Sequence, residues 1–578
     1  MKNLFRYLKS YTVEAILGPL FKLLEAMFEL FVPLVVADII DNGIANADKT
    51  YVLQKSLILV LLGVIGLVCS ITAQYFAARA AVGCSCSIRR ALFEHIQKLS
   101  FSDIDRAGIP TLITRLTGDI NQVQNGINLS LRLLLRSPFV VFGAMIMAFI
   151  LDARSALIFL AVIALLSVVV FGIILGSVPA YKRVQTELDS LTGSTRENLA
   201  GARVIRAFGM EDGENAKFEA CNTALKKRQQ FAGRISALMN PMTFVILNLG
   251  IVILLQSGGQ KVMSSTLTTG QVVALYNYMS QILIELIKFA NLIISITKFI
   301  ACMKRIDAVL TTEPDMEFPD TLSKAPDLSA PMIEFRDVSV KYTEGGDESL
   351  SDISFKIMRG QTIGIIGGTG CGKTTLVRLI PRFYDVSHGE VLINGIDVRE
   401  YPMKTLRSKV GYVLQKALLF KGTIRDNLQY GAPDADDQTL LEAAEFAQAI
   451  DVIDSKEDGL SSAVEQGGRN YSGGQRQRLT IARALAGKPE ILILDDSASA
   501  LDFATDAALR SAIRALPEKP TTIIVSQRTA SIMDADLILV LDDGRLVGSG
   551  CHDELLDSCA VYREIYESQY KNDSKKEA

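Results

Sequence analysis

Long, nearly uninterrupted apolar stretches fill the first 310 residues of the chain, and shorter alternating patterns follow them. A helix needs about 20 apolar residues to cross the hydrocarbon core of a bilayer. Six stretches are long enough, and they predict membrane-spanning helices near residues 14–40, 56–82, 133–152, 155–180, 236–257 and 270–301. Residues 1–312 are therefore expected to form a polytopic α-helical transmembrane domain.

Basic residues set the expected orientation of these spans. The connections after the second and fourth spans are long and rich in Lys and Arg, whereas the opposite connections hold only Lys49, Arg154 and Lys261. Cytoplasmic connections carry the excess of Lys and Arg, so both termini are expected in the cytosol. The first nine residues are basic and amphipathic and predict a helix on the membrane surface, not a cleaved signal peptide. Residues 115–119 and 201–208 are either solvated turns or segments that dock onto the second half.

The pattern changes after residue 312. Residues 313–331 are polar, acidic and proline-containing, which is typical of a linker. From residue 332 to residue 568, short β-type runs alternate with helical runs, as in an α/β domain. Residues 569–578 are expected to be a frayed tail.

Composition narrows the possible functions. A chain of 578 residues is too long for one core, and 49% of its residues are hydrophobic. The net charge of −3 gives no reason to expect a nucleic-acid partner. Its eight cysteines form no CxxC pair and only three histidines are present, so neither a zinc site nor a disulfide framework is expected.

A phosphate-binding loop follows the apolar run of residues 362–366. The loop fits the pattern G-x-x-x-x-G-K-[ST] and comprises Gly367, Gly368, Thr369, Gly370, Cys371, Gly372, Lys373 and Thr374, with Thr375 after it. Glycines let backbone N–H groups close around phosphate oxygens, and the helix that starts there adds its positive end. Lys373 is expected to reach the β- and γ-phosphates of ATP, and the Thr374 hydroxyl to bind Mg²⁺. Asp495, which closes the apolar run of residues 491–494, is the expected second anchor of Mg²⁺ rather than a surface carboxylate.

A second anion-binding turn lies about a hundred residues further along. Ser472, Gly473, Gly474 and Gln475 precede a helical run and form another helix start suited to phosphate. One nucleotide cannot occupy two such starts within one compact domain. This turn is therefore expected to cap ATP held by another subunit.

Together, these motifs and the six spans resemble those of half-size ATP-binding cassette (ABC) exporters over the whole chain. The resemblance implies a type-I exporter membrane domain followed by an α/β P-loop nucleotide-binding domain. It also implies that Tyr342 stacks on adenine, where the alternative is an ordinary core aromatic residue. By the same resemblance, Gln415 is the Q-loop residue that senses Mg²⁺, and Asp502 is the D-loop aspartate that crosses the dimer interface.

Two catalytic positions depart from the family pattern. Asp496 stands where active members have glutamate, and Gln527 stands where they have the switch histidine. Aspartate is one methylene shorter, and position errors near 1 Å can cost on the order of a hundredfold in rate. Glutamine can hydrogen-bond a γ-phosphate, but it cannot become cationic or relay a proton. ATP hydrolysis at this chain's own site is therefore expected to be slow or absent.

The resemblance then implies a function. The chain is expected to be the degenerate-site subunit of a heterodimeric exporter in a bacterial plasma membrane, with ATP and Mg²⁺ as cofactors and amphiphilic drugs, lipids or peptides as substrates. The turn formed by Ser472, Gly473, Gly474 and Gln475, called the signature turn below, would complete the active site of a second half-transporter. The alternatives are an ATP-binding sensor subunit that does not pump and a slow homodimeric exporter. Ionisable residues within the spans are either functional or mutually neutralising pairs: Lys22, Glu25, Glu29, Glu285 and Lys288.

Overall fold

The computed structural model describes residues 6–322, 324–342 and 346–570. Contacts between residues divide the chain into two units. The first unit comprises Met1–Gln97 and Gly108–Thr312, and the second comprises Lys98–Ala107 and Glu313–Ala578. Most of the predicted surface helix of residues 1–9 lies outside the described residues.

Helices make up the first unit, and a short helix of the second unit, α3, interrupts them in the chain. Their bounds are α1 (Thr12–Asp38), α2 (Lys49–Ile96), α3 (Phe101–Ala107), α4 (Ile109–Thr114), α5 (Ile120–Leu133), α6 (Arg136–Leu151), α7 (Ala153–Ala200), α8 (Ala202–Ala207), α9 (Glu211–Ala237), α10 (Met239–Met263) and α11 (Thr269–Leu310).

Five helical segments of the described chain are long and apolar enough to cross a membrane. They are Lys49–Ile96, Ile109–Leu151, Ala153–Ala200, Glu211–Met263 and Thr269–Leu310. The remaining predicted span, residues 14–40, corresponds to α1, which has 27 residues but carries Lys22, Glu25 and Glu29. These charges are paired within the first unit, because Lys22 contacts Glu25 and Arg136 contacts Glu29. That α1 crosses the membrane stays a prediction.

Side-chain caps fix where several long helices begin. Asp48 accepts hydrogen bonds from the backbone N–H groups of Thr50 and Tyr51 and so starts α2. Thr268 and Gln271 form a reciprocal capping box at the start of α11. Such caps satisfy backbone donors that the helix itself leaves without partners.

The connection between α2 and α5 contains residues of both units. Within it, α3 belongs to the second unit, and residues 115–119 belong to the first unit. There the carboxylate of Asp119 accepts hydrogen bonds from Arg115 and Arg305. Residues 115–119 are therefore tied into the first unit through Asp119, and docking by them stays a prediction. Docking by residues 201–208 stays a prediction.

The second unit, apart from α3, is an α/β domain. Its strands are β1 (Ile333–Val340), β2 (Leu350–Ile357), β3 (Thr362–Gly367), β4 (His388–Ile393), β5 (Ile396–Asp397), β6 (Val410–Val413), β7 (Gly422–Thr423), β8 (Ala463–Val464), β9 (Ile491–Asp495), β10 (Thr521–Val525), β11 (Leu537–Asp542) and β12 (Arg545–Gly550). Its helices are α12 (Lys373–Leu379), α13 (Met403–Ser408), α14 (Ile424–Gln429), α15 (Asp437–Phe446), α16 (Ile450–Asp454), α17 (Gly473–Ala486), α18 (Phe503–Arg514), α19 (His552–Ser558) and α20 (Ala560–Tyr570).

The predicted tail begins too early. We expected residues 569–578 to fray, but α20 runs through Tyr570. Gln569 is held there because its side chain accepts hydrogen bonds from Thr529 and donates one to the backbone carbonyl of Gln527. The rest of the predicted tail lies outside the described residues.

The sheet order gathers several chain segments at one edge. The larger sheet has the order β12-β11-β3-β10-β9-β6, in which all neighbours are parallel except the β11–β12 pair. Strands β3, β9 and β10 are buried along their whole length, as expected for central strands of a parallel sheet. Ligands of such sheets bind at the carboxyl ends of the strands. The loops after β3, β6, β9 and β10 are therefore neighbours at the carboxyl edge of the sheet, where a ligand is expected to bind.

Candidate functional site

A cavity of about 520 Å³ lies at the carboxyl edge of the larger sheet. Three groups of predicted site residues line it: the aromatic Tyr342, the loop residues Thr369, Gly370, Gly372, Lys373, Thr374 and Thr375, and the polar residues Gln415, Asp495, Asp496 and Gln527. The structure therefore brings together residues that are up to 185 positions apart in the chain, from Tyr342 to Gln527.

The loop after β3 has a backbone that requires glycine. Gly367, Gly370 and Gly372 have φ angles of +154°, +86° and +96°, which side chains rarely tolerate. A Cβ atom on Gly367 would lie 2.0 Å from the carbonyl oxygen of Leu541. Lys373 is buried, and its ammonium donates hydrogen bonds to the carbonyls of Gly367 and Gly368 at 2.9 and 2.6 Å.

Asp495 lies at the end of β9, and two hydroxyl groups hold its carboxylate. Thr374 donates a hydrogen bond to Oδ1 at 3.0 Å, and Tyr412 donates one to Oδ2 at 2.9 Å. The side chain is almost completely buried, and burial raises the pKa of Asp495 while the two hydroxyls partly oppose that rise. The arrangement presents a hydroxyl and a carboxylate side by side at the cavity wall.

Asp496 and Gln527 occupy the two positions that depart from the family pattern. Asp496 has a left-handed backbone conformation, with φ of +48°, and its Oδ2 accepts a hydrogen bond from Gln415 Nε2 at 3.1 Å. Gln527 is exposed at the cavity, and its backbone carbonyl is held by Gln569. The three histidines of the chain, His95, His388 and His552, do not line the cavity. Among the described residues, no imidazole is therefore available there for proton transfer.

Tyr342 lines the cavity beside the start of α12. Its hydroxyl donates a hydrogen bond to Thr375 Oγ1 at 3.0 Å, and its ring packs edge-on against Tyr384 at 5.1 Å. Tyr342 remains 44% exposed. An exposed aromatic face beside a phosphate loop is suited to stacking on a base.

The signature turn and Asp502 do not line this cavity. Ser472 caps α17, because its side chain accepts a hydrogen bond from the backbone N–H of Gln475, and the Gln475 side chain accepts one from Ser472 N–H. Gly473 lies at the exposed start of that helix, and Gly474 packs toward Ala500. Asp502 caps α18, where hydrogen bonds from Thr505 lower the pKa of its carboxyl.

Some lining residues were not predicted from the sequence. Asp347 and Glu348 precede β2, and Asp543 lies in the turn between β11 and β12. The Asp-Asp-Gly run of residues 542–544 signals a hairpin turn, but nothing in the sequence places that turn beside the phosphate loop. Tyr412, which holds Asp495, was also missed.

Comparisons with known families define the class of protein. The family model for the ABC transporter transmembrane region matches residues 15–286, and the model described as ABC transporter matches residues 350–499. A membrane region and a nucleotide-binding domain thus follow one another in a single chain. The class is an ATP-driven membrane transporter.

Relatives and a solved structure agree with this class. An uncharacterized ABC transporter ATP-binding protein of Mycobacterium tuberculosis is 36% identical over 569 residues, which are 98% of this chain and 97% of that protein. The ATP-dependent lipid A-core flippase of Vibrio vulnificus is 27% identical over 98% of this chain and 97% of its own length. A bacterial Atm1-family ABC exporter with ATP bound has a similar fold, with a TM-score of 0.79 at 23% identity, over 97% of this chain and 98% of that one.

The chain belongs to the ABC transporter family, and its architecture is that of a half-size ABC exporter. Its nucleotide-binding domain binds ATP. The predicted fold class, a helical transmembrane domain followed by an α/β P-loop domain, is confirmed.

Proposed function

We propose that this chain is one half of a heterodimeric exporter and that its own nucleotide site binds ATP but hydrolyses it slowly. The observation that carries the proposal is the pair Asp496 and Gln527 on the wall of one cavity with Lys373 and Asp495. The shorter carboxylate of Asp496 is held by Gln415, and Gln527 cannot carry or relay a proton. Both groups that would activate a water and complete proton transfer are thus weakened.

Each part of the nucleotide would be bound by a different group of residues in the cavity. Tyr342 would stack on adenine, and the loop N–H groups from Gly368 to Thr375 with Lys373 would bind the phosphates. Thr374 and Asp495 place hard oxygen atoms 3.0 Å apart at the wall, and Gln415 adds an amide oxygen. Oxygen donors of this kind, completed by phosphate oxygens and water, suit Mg²⁺. When bound there, Mg²⁺ would balance the phosphate charge.

A second subunit is proposed because the signature turn lies apart from the cavity. Ser472 and Gln475 fix the start of α17, and Gly473 is exposed there. Such a helix start attracts phosphate, yet it does not line this chain's own nucleotide cavity. It would therefore complete the site of a second half-transporter. Both termini, with the nucleotide-binding domain, would face the cytosol of a bacterial plasma membrane.

The proposed test restores the glutamate and the histidine that active family members have at positions 496 and 527. In the assembled transporter, Asp496→Glu combined with Gln527→His is expected to raise the rate of ATP hydrolysis at this site at least about tenfold, because both the position of the base and the proton relay are restored. Phosphate release from the purified assembly measures the rate. The matched control is Asp543→Glu, which lengthens another carboxylate on the same cavity wall.

The composition of the purified assembly decides between the dimer alternatives. Intact-mass measurement of the assembly from its native membrane would show a second, different half-transporter in equal amount. A homodimer would instead favour the slow homodimeric exporter. An unchanged hydrolysis rate in the Asp496→Glu, Gln527→His variant would contradict the slow-site proposal for either assembly.

A groove in the first unit supports amphiphilic substrates. A cavity of about 560 Å³ lies between α1 and α2, with apolar walls formed by Phe28, Val32, Leu59, Leu62 and Leu67. Its polar lining is Glu25, Glu29, Ser70 and Arg136. The Glu29 side chain is 41% exposed although one of its oxygens pairs with Arg136. Apolar walls beside an exposed carboxylate fit a ligand with an apolar body and a cationic head.

Transport into vesicles tests both the substrate class and the sensor alternative. With ATP, we expect vesicles that contain the assembly to accumulate a fluorescent cationic dye, and Glu29→Gln to raise the KM for it about tenfold, because a hydrogen bond to a charged group is lost. A neutral dye should keep its KM. Glu14→Gln, on the same helix but outside the groove, is the control. Absence of any transport would favour the sensor alternative, and equal changes for both dyes would contradict a charge-selective groove.

A further inference from the structure

Five aromatic side chains of the second unit connect α3 with the nucleotide cavity. Phe101 of α3 stacks on Phe383 with ring centroids 4.5 Å apart, and Phe383 packs against Tyr412 at 5.3 Å. Tyr384 lies 6.2 Å from Phe101 and packs edge-on against Tyr342 at 5.1 Å. These five residues form the aromatic cluster, and ring pairs at these separations are attractive beyond the apolar area they bury.

Each tyrosine hydroxyl of the aromatic cluster donates a hydrogen bond to a different polar side chain. Tyr412 donates a hydrogen bond to Asp495 Oδ2 at 2.9 Å, and Tyr384 donates one to Asp105 Oδ2 of α3 at 2.6 Å. Tyr342 donates to Thr375 Oγ1. The cluster therefore joins α3 to the proposed metal anchor on one branch and to the proposed adenine contact on the other.

Tyr412 determines which oxygen of Asp495 is available. Thr374 contacts Oδ1 and Tyr412 contacts Oδ2, so the carboxylate cannot rotate without losing a hydrogen bond. Asp495 is almost completely buried, and a buried oxygen that loses its donor is costly. Tyr412 thus holds Oδ1 on the side of the Thr374 hydroxyl, where both proposed metal ligands meet.

The helix α3 is itself firmly attached within the second unit. Ser100 and Asp103 form reciprocal hydrogen bonds at its start, and Asp103 also accepts one from the backbone N–H of Asp315. Arg106 pairs with Asp315 at 2.8 Å. Phe101 is therefore held in place against Phe383, and a change of its side chain would act on Phe383 and, through Phe383, on Tyr412.

We propose that Tyr412 is a positioning residue for Asp495, and that the ring contacts from Phe101 through Phe383 make this positioning depend on α3. The inference rests on the proposed role of Asp495 as a metal ligand. In the chain, α3 lies between α2 and α4 of the transmembrane domain. A change at Phe101 would then alter the affinity of the site for its divalent cation.

Metal affinity gives the direct test. In the purified assembly with a non-hydrolysable ATP analogue, Tyr412→Phe is expected to weaken Mn²⁺ binding about tenfold, as loss of a group that orients a metal ligand commonly does. Electron paramagnetic resonance of free Mn²⁺ measures the affinity. Nucleotide affinity without metal should stay unchanged, because no phosphate contact is removed. In a heterodimer, the partner's site serves as an internal reference.

The matched control is Tyr401→Phe. Tyr401 is fully buried in the same domain, and its hydroxyl donates to the carbonyl of Ile393 at 2.8 Å, outside the aromatic cluster. Equal losses of Mn²⁺ affinity in Tyr412→Phe and Tyr401→Phe, or no loss in either, would overturn the positioning role. A wild-type assembly that binds no Mn²⁺ with the analogue would instead refute the proposed nucleotide site.

A double-substitution cycle tests the dependence on α3. Phe101→Leu keeps an apolar side chain but removes the ring contact, and it is expected to weaken Mn²⁺ binding about threefold when Tyr412 is present, the size of a typical aromatic-pair energy. In the Tyr412→Phe background the same change should have no further effect, because the hydrogen bond it acts through is gone. Independent, multiplying effects of the two substitutions would overturn the link to α3.

Discussion

Gly367→Ala is expected to lower the affinity of the nucleotide-binding domain for ATP on the order of a hundredfold or more. The φ angle of +154° strains any residue with a side chain by about 1–3 kcal/mol. In addition, the new Cβ would lie 2.0 Å from the carbonyl oxygen of Leu541, which is backbone and cannot rotate away. The loop must then move, and its N–H groups leave the positions that bind phosphate. A fluorescent ATP analogue titrated onto the purified protein measures the loss.

Alanine substitutions at two neighbouring glycines separate the effect of backbone strain from the effect of the steric conflict at Cβ. Gly368 has an ordinary φ angle and open space around its Cβ position, so Gly368→Ala should change the affinity by no more than about twofold. Gly370 has a φ of +86° but also open space, so Gly370→Ala carries strain alone and should fall between the other two. An order of effects other than Gly367, Gly370, Gly368 would contradict this account of the loop.

Arg136→Met is expected to destabilise the transmembrane domain by roughly 1–3 kcal/mol, because the buried carboxylate of Glu285 loses one of its two cationic partners and keeps the partly exposed Lys288. Arg136 and Glu285 are both almost completely buried, and their closest atoms, Nη1 and Oε1, are 2.6 Å apart. Nη2 of Arg136 contacts Glu29 of α1 at 2.6 Å, and Ser137 donates a further hydrogen bond to Glu285. One arginine therefore holds α1, α6 and α11 together.

Unfolding of the purified protein in detergent provides the measurement. Arg79→Met is the control, because Arg79 is more than half exposed and its pair with Glu14 should be worth at most about 1 kcal/mol. Adding Glu285→Gln to Arg136→Met should recover part of the stability, since the buried carboxylate that lost its arginine partner is removed. Equal losses in Arg136→Met and Arg79→Met would show that the buried pair does not stabilise the domain.

Much of the nucleotide site could be predicted because its residues lie in short local patterns. The loop from Gly367 to Thr374 and the run that ends at Asp495 can each be recognised from a few consecutive residues. Gln415 and Gln527 were identified through the resemblance to ABC exporters, and the sheet order brings the loops that carry them together. Parallel strands collect their carboxyl ends, so local motifs become a common site.

The residues that sequence analysis missed depend on register and tertiary packing. Tyr412 reaches Asp495 because β6 pairs in parallel with β9 and places Tyr412 beside Ile493. No pattern within β6 reveals which strand will be its neighbour. The assignment of α3 to the second unit was missed for a similar reason, since a seven-residue helix in a polar connection has no distinctive periodicity.

The last described helix has a practical consequence for handling the protein. Gln569 of α20 holds the backbone of Gln527 and the side chain of Thr529, so the far end of the chain supports one wall of the nucleotide cavity. An affinity tag or fluorescent fusion joined before Tyr570 would cut away this support and distort measured turnover. Recombinant versions should therefore keep every residue through Tyr570 ahead of any appended sequence.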